Sequence, residues 1–402
     1  MSMSKHRDGF EHYQQVALPT PFHARTSACN ELNLWHRWRD YSVPDAYFSV
    51  ALEYTALRNA AAVFDLSPMS KHWISGPDAE AFLNRLITRD VKKIAPGKVA
   101  YCLWCDEDGQ LIDDGTLFHI RSGEYLLCSQ ERQMDWLQRA AVGFAVTLSE
   151  KTHDWAALAV QGPVSYTILA ACGYPDIARL KPFELAELDF NGVPLMLART
   201  GFTGDLGYEL FIAREAALAL WDHLFAHGQA HGLKPMGTHA LDIARIEAGF
   251  IQAGVDFLPA DHAIRHGRAV TPIELDLGWQ VDLAKPFFNG RAVLAKQKRH
   301  PTSRQLLRLK VSGNKIAKDA YLYNEQREKL GTVTSAVWSP MLKQSIALAL
   351  VEREKAAKAQ QIIAEIYYQK ELQWSRVNVP CERVTGAFFD PSRRKQTPPA
   401  RY

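Results

Sequence analysis

Hydrophobic and polar positions recur with helix-like and strand-like periods over the first 150 residues. A helical pattern over 51–65 runs into a short apolar segment, and apolar residues return at helical spacing over 79–86. The apolar stretches 99–105 and 111–120 flank the polar turn 106–110. This arrangement predicts a hairpin that continues into a small antiparallel meander.

A second unit is predicted from residue 155 onward. The apolar stretch 155–163 ends at Gly-Pro and is typical of a buried strand, and 193–212 contains two apolar segments around a glycine-rich turn. The patterns over 215–232 and 239–250 predict amphipathic helices. Because strands and helices do not alternate regularly, we expect α+β layers and not a doubly wound sheet.

The pattern changes near residue 300. The polar stretch 297–305 is typical of a linker, and short apolar segments beyond it predict a small β-barrel or sandwich. Residues 1–30 and the basic, proline-rich stretch 390–402 are expected to be loosely held. A length of 402 residues exceeds what one hydrophobic core usually supports, so two or three domains are expected.

Composition excludes several classes of protein. Hydrophobic residues make up 47% and charged residues 23%, as in a folded globular protein. The net charge of +3 argues against a dedicated nucleic-acid binder, and no apolar run is long enough to span a membrane. The six cysteines are scattered and the first residues show no secretory signal, so we expect free thiols and a cytoplasmic location.

Three glycines with the spacing G-x-x-G-x-x-G form the most unusual local pattern. Gly201, Gly204 and Gly207 lie between two apolar strands, where bare backbone can approach a flat or anionic ligand. An ordinary hairpin is the alternative interpretation. Glu209 follows within an apolar strand, and an inward carboxylate there requires hydrogen-bond donors, such as those of a heterocycle or an arginine.

Two adjacent acids interrupt the apolar hairpin at Asp113 and Asp114. Since successive strand residues face opposite sides of a sheet, one is expected to point inward and one outward. An inward aspartate is a candidate base or charge stabiliser. The alternative is that both lie in a solvated turn.

Other clusters predict no metal centre. Cys102 and Cys105 lack a second cysteine pair and should face opposite sides of a strand. His223, His227 and His231 lie on one face of a predicted helix, without a third type of ligand nearby in the sequence.

Taken together and in order, several segments resemble the folate-dependent aminomethyltransferases, the family of the glycine cleavage T-protein. The resemblance extends over residues 50–351, which is most of the chain. Its carrying segments are 63–91, 100–118, 158–163, 198–210, 244–250, 271–291 and 329–351.

The resemblance implies a three-domain cloverleaf around a central channel that takes tetrahydrofolate pterin-first. Two α+β domains are expected to interleave within 31–298, over approximately 50–150 and 151–298. A C-terminal β-barrel is expected over 299–402, in agreement with the change of pattern near residue 300.

The resemblance also assigns roles to individual residues. It makes Asp113, in the family's I/L-D-D motif, the catalytic carboxylate beside N5 of the folate. It makes Glu209 the ligand of the pterin's parallel N–H donors. The remaining expected folate contacts are Tyr101, Met69, Phe202 and Arg245.

The departures from the family pattern concern the part of the site that is expected to bind the one-carbon donor. Phe202 stands where tyrosine is usual, and Leu241 stands where the first arginine of the family's A-R-D-x-L-R-x-E-A-G pattern is expected. Phe202, Trp104 and Tyr101 are expected near the donated carbon, where ring faces attract cations.

We therefore expect a tetrahydrofolate-dependent one-carbon transferase that uses a small methylated or aminomethylated donor. Its product would be 5-methyl- or 5,10-methylenetetrahydrofolate. One alternative is the T-protein of the glycine cleavage system, served by a lipoyl carrier protein. The other is a non-catalytic folate-binding protein, which the lack of a cysteine in 287–291 disfavours.

Overall fold

The computed structural model describes residues 16–265 and 267–396. Within these residues it contains nine α-helices and twenty strands. The helices are α1 His23–Cys29, α2 Val50–Asn59, α3 Ala79–Leu86, α4 Met134–Ala140, α5 Ser165–Ala171, α6 Ala217–Gly228, α7 Thr238–Glu247, α8 Arg291–Arg299 and α9 Arg353–Lys358.

Three strands near the start of the described chain form a small sheet in the order β1-β3-β2. They are β1 Leu18–Pro19, β2 Leu34–Trp38 and β3 Tyr41–Ala46. Phe22 is fully buried against the next sheet's core, and Arg25 pairs with Asp222 of α6 at 2.6 Å. The expectation of a loose arm up to residue 30 is therefore wrong for residues 18–29, and residues 1–15 lie outside the described chain.

A six-stranded sheet has the order β11-β12-β13-β10-β4-β14. Its strands are β4 Ala61–Asp65, β10 Trp155–Gln161, β11 Leu185–Phe190, β12 Val193–Ala198, β13 Gly207–Ala213 and β14 Leu233–Pro235. Helices α5 and α6 cover one face, where Leu169, Leu220 and Leu224 pack on Leu158 and Leu210.

A five-stranded sheet has the order β6-β7-β8-β5-β9. Its strands are β5 Ser70–Ser75, β6 Lys98–Cys105, β7 Leu111–Arg121, β8 Glu124–Ser129 and β9 Thr147–Glu150. These strands lie between β4 and β10 in the chain, so the two sheets interleave in sequence. The domain boundary near residue 150 stays a prediction.

The two sheets share a core on their inner faces. Phe118 of β7 meets Phe211 of β13 edge to face, with ring centroids 5.3 Å apart. The α7 residues Ala240 and Ala244 complete this core. Since strand residues alternate between faces, this contact fixes which side chains of both sheets point inward.

The C-terminal strands form a closed barrel in the order β15-β18-β17-β16-β19-β20. They are β15 Arg304–Val311, β16 Tyr321–Tyr323, β17 Lys329–Ser339, β18 Gln344–Glu352, β19 Ile362–Lys370 and β20 Gln373–Val384. The barrel decides between the two predicted β architectures, and the predicted α+β class with a C-terminal barrel is confirmed.

The residues after the barrel contact the β12–β13 turn and helix α2. Arg393 donates two hydrogen bonds to Asp205, at 2.6 and 2.7 Å, and the Arg58 guanidinium lies 4.4 Å from the centre of the Phe389 ring. The basic tail is therefore anchored at Arg393, contrary to the expectation of a loose end, and residues 397–402 lie outside the described chain. No helix in the described part of the chain is both long and apolar enough to cross a membrane.

Candidate functional site

A cavity of about 1240 Å³ lies at the centre of the molecule. Its wall is built from β2 and β3, the β4–β5 loop, both large sheets, α7 with the loop after it, and strand β17 of the barrel. This volume exceeds that of a typical small-molecule site, so it can hold a large cofactor together with a donor. Five of the predicted site residues line it: Met69, Tyr101, Phe202, Glu209 and Arg245.

Glu209 reaches the cavity from the inner face of β13. Its neighbours Tyr208 and Leu210 point to the opposite, helix-covered face, as strand alternation requires. The Thr200 hydroxyl donates a 2.6 Å hydrogen bond to Glu209 Oε2. Burial raises the pKa of the Glu209 carboxyl, and the bond from Thr200 opposes that shift. The carboxylate is thus held in place at the edge of the cavity.

The glycine-rich turn is shaped by Gln161 of β10. A Cβ on Gly201 or Gly207 would lie within 2.5 Å of the Gln161 amide. That amide donates to the Thr200 carbonyl at 3.1 Å and accepts from the Thr203 hydroxyl at 2.8 Å. The glycines therefore admit a buried glutamine that braces the turn beside Glu209, a role that the sequence pattern did not predict.

The two adjacent aspartates of β7 face opposite sides of the sheet. Counting back in steps of two from Phe118 places Thr116 and Asp114 on the inner face, and both line the cavity. Asp113 is fully buried outside the cavity and accepts hydrogen bonds from the backbone N–H groups of Asp114 and Glu131, at 2.8 and 3.2 Å. The carboxylate on the cavity wall is thus Asp114, whereas the sequence analysis had predicted Asp113 for this place.

Asp114 is paired with another predicted residue. The Tyr101 hydroxyl donates to Asp114 Oδ2 at 2.8 Å. Burial raises the pKa of Asp114 to about 6, and the bond from Tyr101 opposes the shift. At neutral pH Asp114 is therefore mainly ionised and accepts protons more readily than an ordinary aspartate.

Arg245 lies on the wall but its guanidinium is occupied by protein groups. It donates to Asp242 at 2.7 Å, to the Phe250 carbonyl at 3.1 Å and to Ser335 at 2.9 Å, and it pairs with buried Asp256. These bonds join α7 to the following loop and to the barrel. Arg245 therefore holds the wall together, and its role as a folate ligand stays a prediction.

Met69 is positioned by a buried lysine. The Lys71 ammonium, which has no exposed surface, donates to the carbonyls of Ser67 and Met69 at 2.9 and 2.8 Å. Burial lowers the pKa of Lys71 to about 8. The charge therefore fixes the β4–β5 loop and presents the Met69 side chain to the cavity.

The aromatic side chains expected near the donated carbon do not all line the cavity. Phe202 lines the cavity and stacks on Phe250, with ring centroids 5.6 Å apart, and Leu241 of α7 lies on the same wall. Trp104 is on the opposite face of β6 from Tyr101 and is buried in the outer core of the five-stranded sheet. Trp104 is therefore not near the cavity, contrary to expectation.

The sequence patterns missed the wall formed by the N-terminal hairpin. His36, Arg39 and Asp45 of this hairpin line the cavity. The only signal in the sequence was the dense mixture of aromatic and charged residues over 34–41, which does not have a simple strand period.

Comparisons with known proteins identify the family of the chain. A family model described as the GCVT N-terminal domain matches residues 21–285, and one described as the glycine cleavage T-protein C-terminal barrel domain matches 304–390. The chain belongs to the glycine cleavage T-protein family. The predicted resemblance is thereby confirmed.

Individual members of the T-protein family show how far the similarity extends. An aminomethyltransferase from Caldanaerobacter subterraneus subsp. tengcongensis is 33% identical over 327 residues, covering 80% of this chain and 85% of the relative. The aminomethyltransferase of Bacillus subtilis is 33% identical over 320 residues, covering 78% and 86%. The crystal structure of glycine cleavage system aminomethyltransferase T from Bartonella henselae superposes with a TM-score of 0.81 at 22% identity, over 93% of this chain and 99% of that one. This last likeness establishes the fold of the T-protein family for the chain.

Proposed function

We propose that the protein transfers an aminomethyl group to tetrahydrofolate from a carrier-bound donor, as a T-protein of a glycine cleavage system. The observation that carries the proposal is the pair of carboxylates, Glu209 and Asp114, which two different sheets direct into one cavity. The shared name of the aminomethyltransferase relatives supports this activity more than the small-donor reaction that the sequence favoured.

The residues of the cavity fit a reduced pterin. Glu209 offers a carboxylate held by Thr200, which matches two parallel N–H donors of a pterin edge. Phe202 and Met69 offer apolar surface to flat rings. Asp114, with its pKa near 6, would lie at the reacting nitrogen.

The chemistry requires one proton acceptor near the folate. Tetrahydrofolate, when bound, supplies N5 as the nucleophile for the donated carbon and loses the proton on that nitrogen. Asp114 accepts the proton, while Tyr101 keeps the carboxylate oriented. In total the donor's C–S and C–N bonds break, two C–N bonds to folate form, and the thiol and ammonia leave with the displaced protons. Alignment of donor and folate within the cavity contributes the rest.

The decisive experiment mixes the purified protein with tetrahydrofolate and an aminomethylated lipoyl carrier protein. We expect 5,10-methylenetetrahydrofolate and ammonia in equal amounts, and neither product when the carrier is omitted. Absence of both products with the complete mixture would refute the proposal.

Folate binding is tested separately with Glu209→Gln. We expect the Kd for tetrahydrofolate to rise about 10–100-fold, because a charge-assisted pair of hydrogen bonds is lost. Glu187→Gln is the matched control, since Glu187 is an exposed residue of β11 in the same sheet. Equal affinities for the two variants in calorimetry would show that Glu209 does not hold the pterin.

A second candidate is transfer from a small methylated donor. It is favoured by Leu241 and Phe202, two apolar side chains on the cavity wall at positions where the family pattern has arginine and tyrosine. Such a protein would form 5-methyltetrahydrofolate from a methylated amine or sulfonium, and the aminomethylated lipoyl carrier would not be a substrate. The same assay with small donors in place of the carrier distinguishes the two reactions.

A further inference from the structure

A carboxylate and two imidazoles form a second polar group on the cavity wall. His36 Nδ1 of β2 lies 2.8 Å from Asp45 Oδ1 of β3, and His239 Nε2 of α7 lies 3.7 Å from the same oxygen. All three residues line the cavity that contains Asp114. Asp45 and His239 are the two charged or titratable side chains that act electrostatically on His36.

Neighbouring bonds determine the tautomer of His36. The Asp45 carboxylate can only accept at Nδ1, and the Thr238 hydroxyl, 3.3 Å from Nδ1, already donates to the Pro44 carbonyl at 3.1 Å. The proton of the neutral ring is therefore on Nδ1. Nε2 keeps its lone pair and has no hydrogen-bond partner among the described residues.

Burial lowers the pKa of His36, and this effect outweighs the opposing charge of Asp45, while His239 adds to the lowering. The ring is thus neutral at neutral pH. A neutral imidazole oriented by a carboxylate is the usual arrangement of a general base.

The proposed reaction needs a base on the donor side as well as on the folate side. A primary amine on the donated carbon is protonated at neutral pH and has no lone pair with which to expel the sulfur. Asp114 is already assigned to the folate proton. The departing sulfur, in turn, leaves more easily if it receives a proton.

We propose that His36 is a catalytic base and acid for the donor, positioned by Asp45. Nε2 takes one proton from the donor's ammonium group, and the amine lone pair then assists cleavage of the C–S bond. The imidazolium returns that proton to the leaving sulfur, which departs as a thiol. His36 is unchanged over the cycle, so charge and protons balance. This inference rests on the proposed aminomethyl transfer.

The test measures single-turnover transfer from the aminomethylated lipoyl carrier to tetrahydrofolate. We expect His36→Gln to lower the transfer rate about 10²–10⁴-fold, with the Kd for tetrahydrofolate unchanged. His231→Gln, an exposed histidine outside the cavity, is the matched control and should behave as wild type. His36→Gly with added imidazole should regain part of the lost rate, which a purely structural role would not allow.

Asp45→Asn supplies an independent readout. Because Asp45 raises the pKa of His36, its removal should lower that pKa further in an NMR titration of the ring. A wild-type protein without aminomethyl transfer would overturn both this inference and the proposed function. A wild type that transfers the group, together with a His36→Gln rate within twofold of it, would overturn this inference alone.

Discussion

At the scale of single residues, a shift of one position decides which carboxylate does chemistry. Resemblance assigned the role to Asp113, and strand alternation predicted only that one of the two acids points inward. Trp104 pairs with Asp113 but Cys105 pairs with Leu111, so Ile112 forms a bulge at the start of β7. Local sequence does not reveal such a bulge, and the inward residue could be identified only from the packing of Phe118.

Asparagine substitutions of the two aspartates should therefore have opposite effects. Asp114→Asn should lower the transfer rate about 10²–10⁴-fold while leaving stability and folate affinity close to wild type. Asp113→Asn should retain the rate in its folded fraction but lose about 1–3 kcal/mol of unfolding free energy, because an amide N–H would face a backbone N–H. Single-turnover rates and urea unfolding separate the two effects. A large rate loss in Asp113→Asn with a normal rate in Asp114→Asn would restore Asp113 as the catalytic group.

The role of Asp114 as proton acceptor also predicts how the transfer rate depends on pH. Since the raised pKa of Asp114 is about 6, its basic form prevails above that pH and disappears below it. The transfer rate should fall by at least tenfold per pH unit below pH 6. Asp114→Asn should lack the Asp114 step and keep only the one from protonation of His36, whose pKa burial lowers. The step belongs to the acid side because the protonated carboxyl cannot accept the proton.

At the scale of elements, the glycine-rich turn was recognised from sequence, but the reason why it needs glycines was not. Spacing alone predicts that backbone approaches something closely, and a ligand or a plain hairpin were the available interpretations. The structure shows Gln161 beneath Gly201 and Gly207, some 40 residues away in the chain. Contacts between distant strands of this kind leave no periodic signal in a single sequence.

Gly207→Ala tests whether this brace matters for the site. The new Cβ would lie 2.3 Å from the Gln161 side chain, so the amide must move and lose its bonds to the turn. We expect a loss of about 1–3 kcal/mol in stability and weaker folate binding, because Thr200 no longer orients Glu209. Gly278→Ala, whose nearest neighbour would be 3.6 Å away, is the control. Wild-type affinity in Gly207→Ala would mean that the turn and Glu209 are independent.

At the scale of the whole molecule, the sequence predicted the order of the parts better than their attachment. Periodicity predicted the α+β region and a C-terminal barrel or sandwich, the resemblance favoured the barrel, and the α+β class with the barrel is confirmed. The two ends were misjudged, because polar composition predicts a loose arm even where a few residues form long-range contacts. The first end is anchored by Phe22 and the Arg25–Asp222 pair, and the second by Arg393, which binds Asp205.

The tail after the barrel should therefore contribute to the stability of the whole fold. Arg393 joins it to Asp205, which is fully buried and also contacts Arg58 at 3.3 Å. Arg393→Ala leaves that carboxylate with one partner fewer, so we expect about 1–3 kcal/mol lower unfolding free energy. Lys395→Ala removes an ion pair with Asp390 whose lysine side chain is 66% exposed, and should change stability by less than about 0.5 kcal/mol.

Hydrogen exchange localises the effect of Arg393→Ala. Amides of the glycine-rich turn over 201–207 should exchange faster in this variant than in Lys395→Ala, because the turn loses its contact with the tail. Faster exchange confined to residues 385–396 would show instead that the tail lies on the surface without stabilising the turn. Exchange that rises in the turn and the tail together would establish that Arg393 joins the tail to the glycine-rich turn beside Glu209.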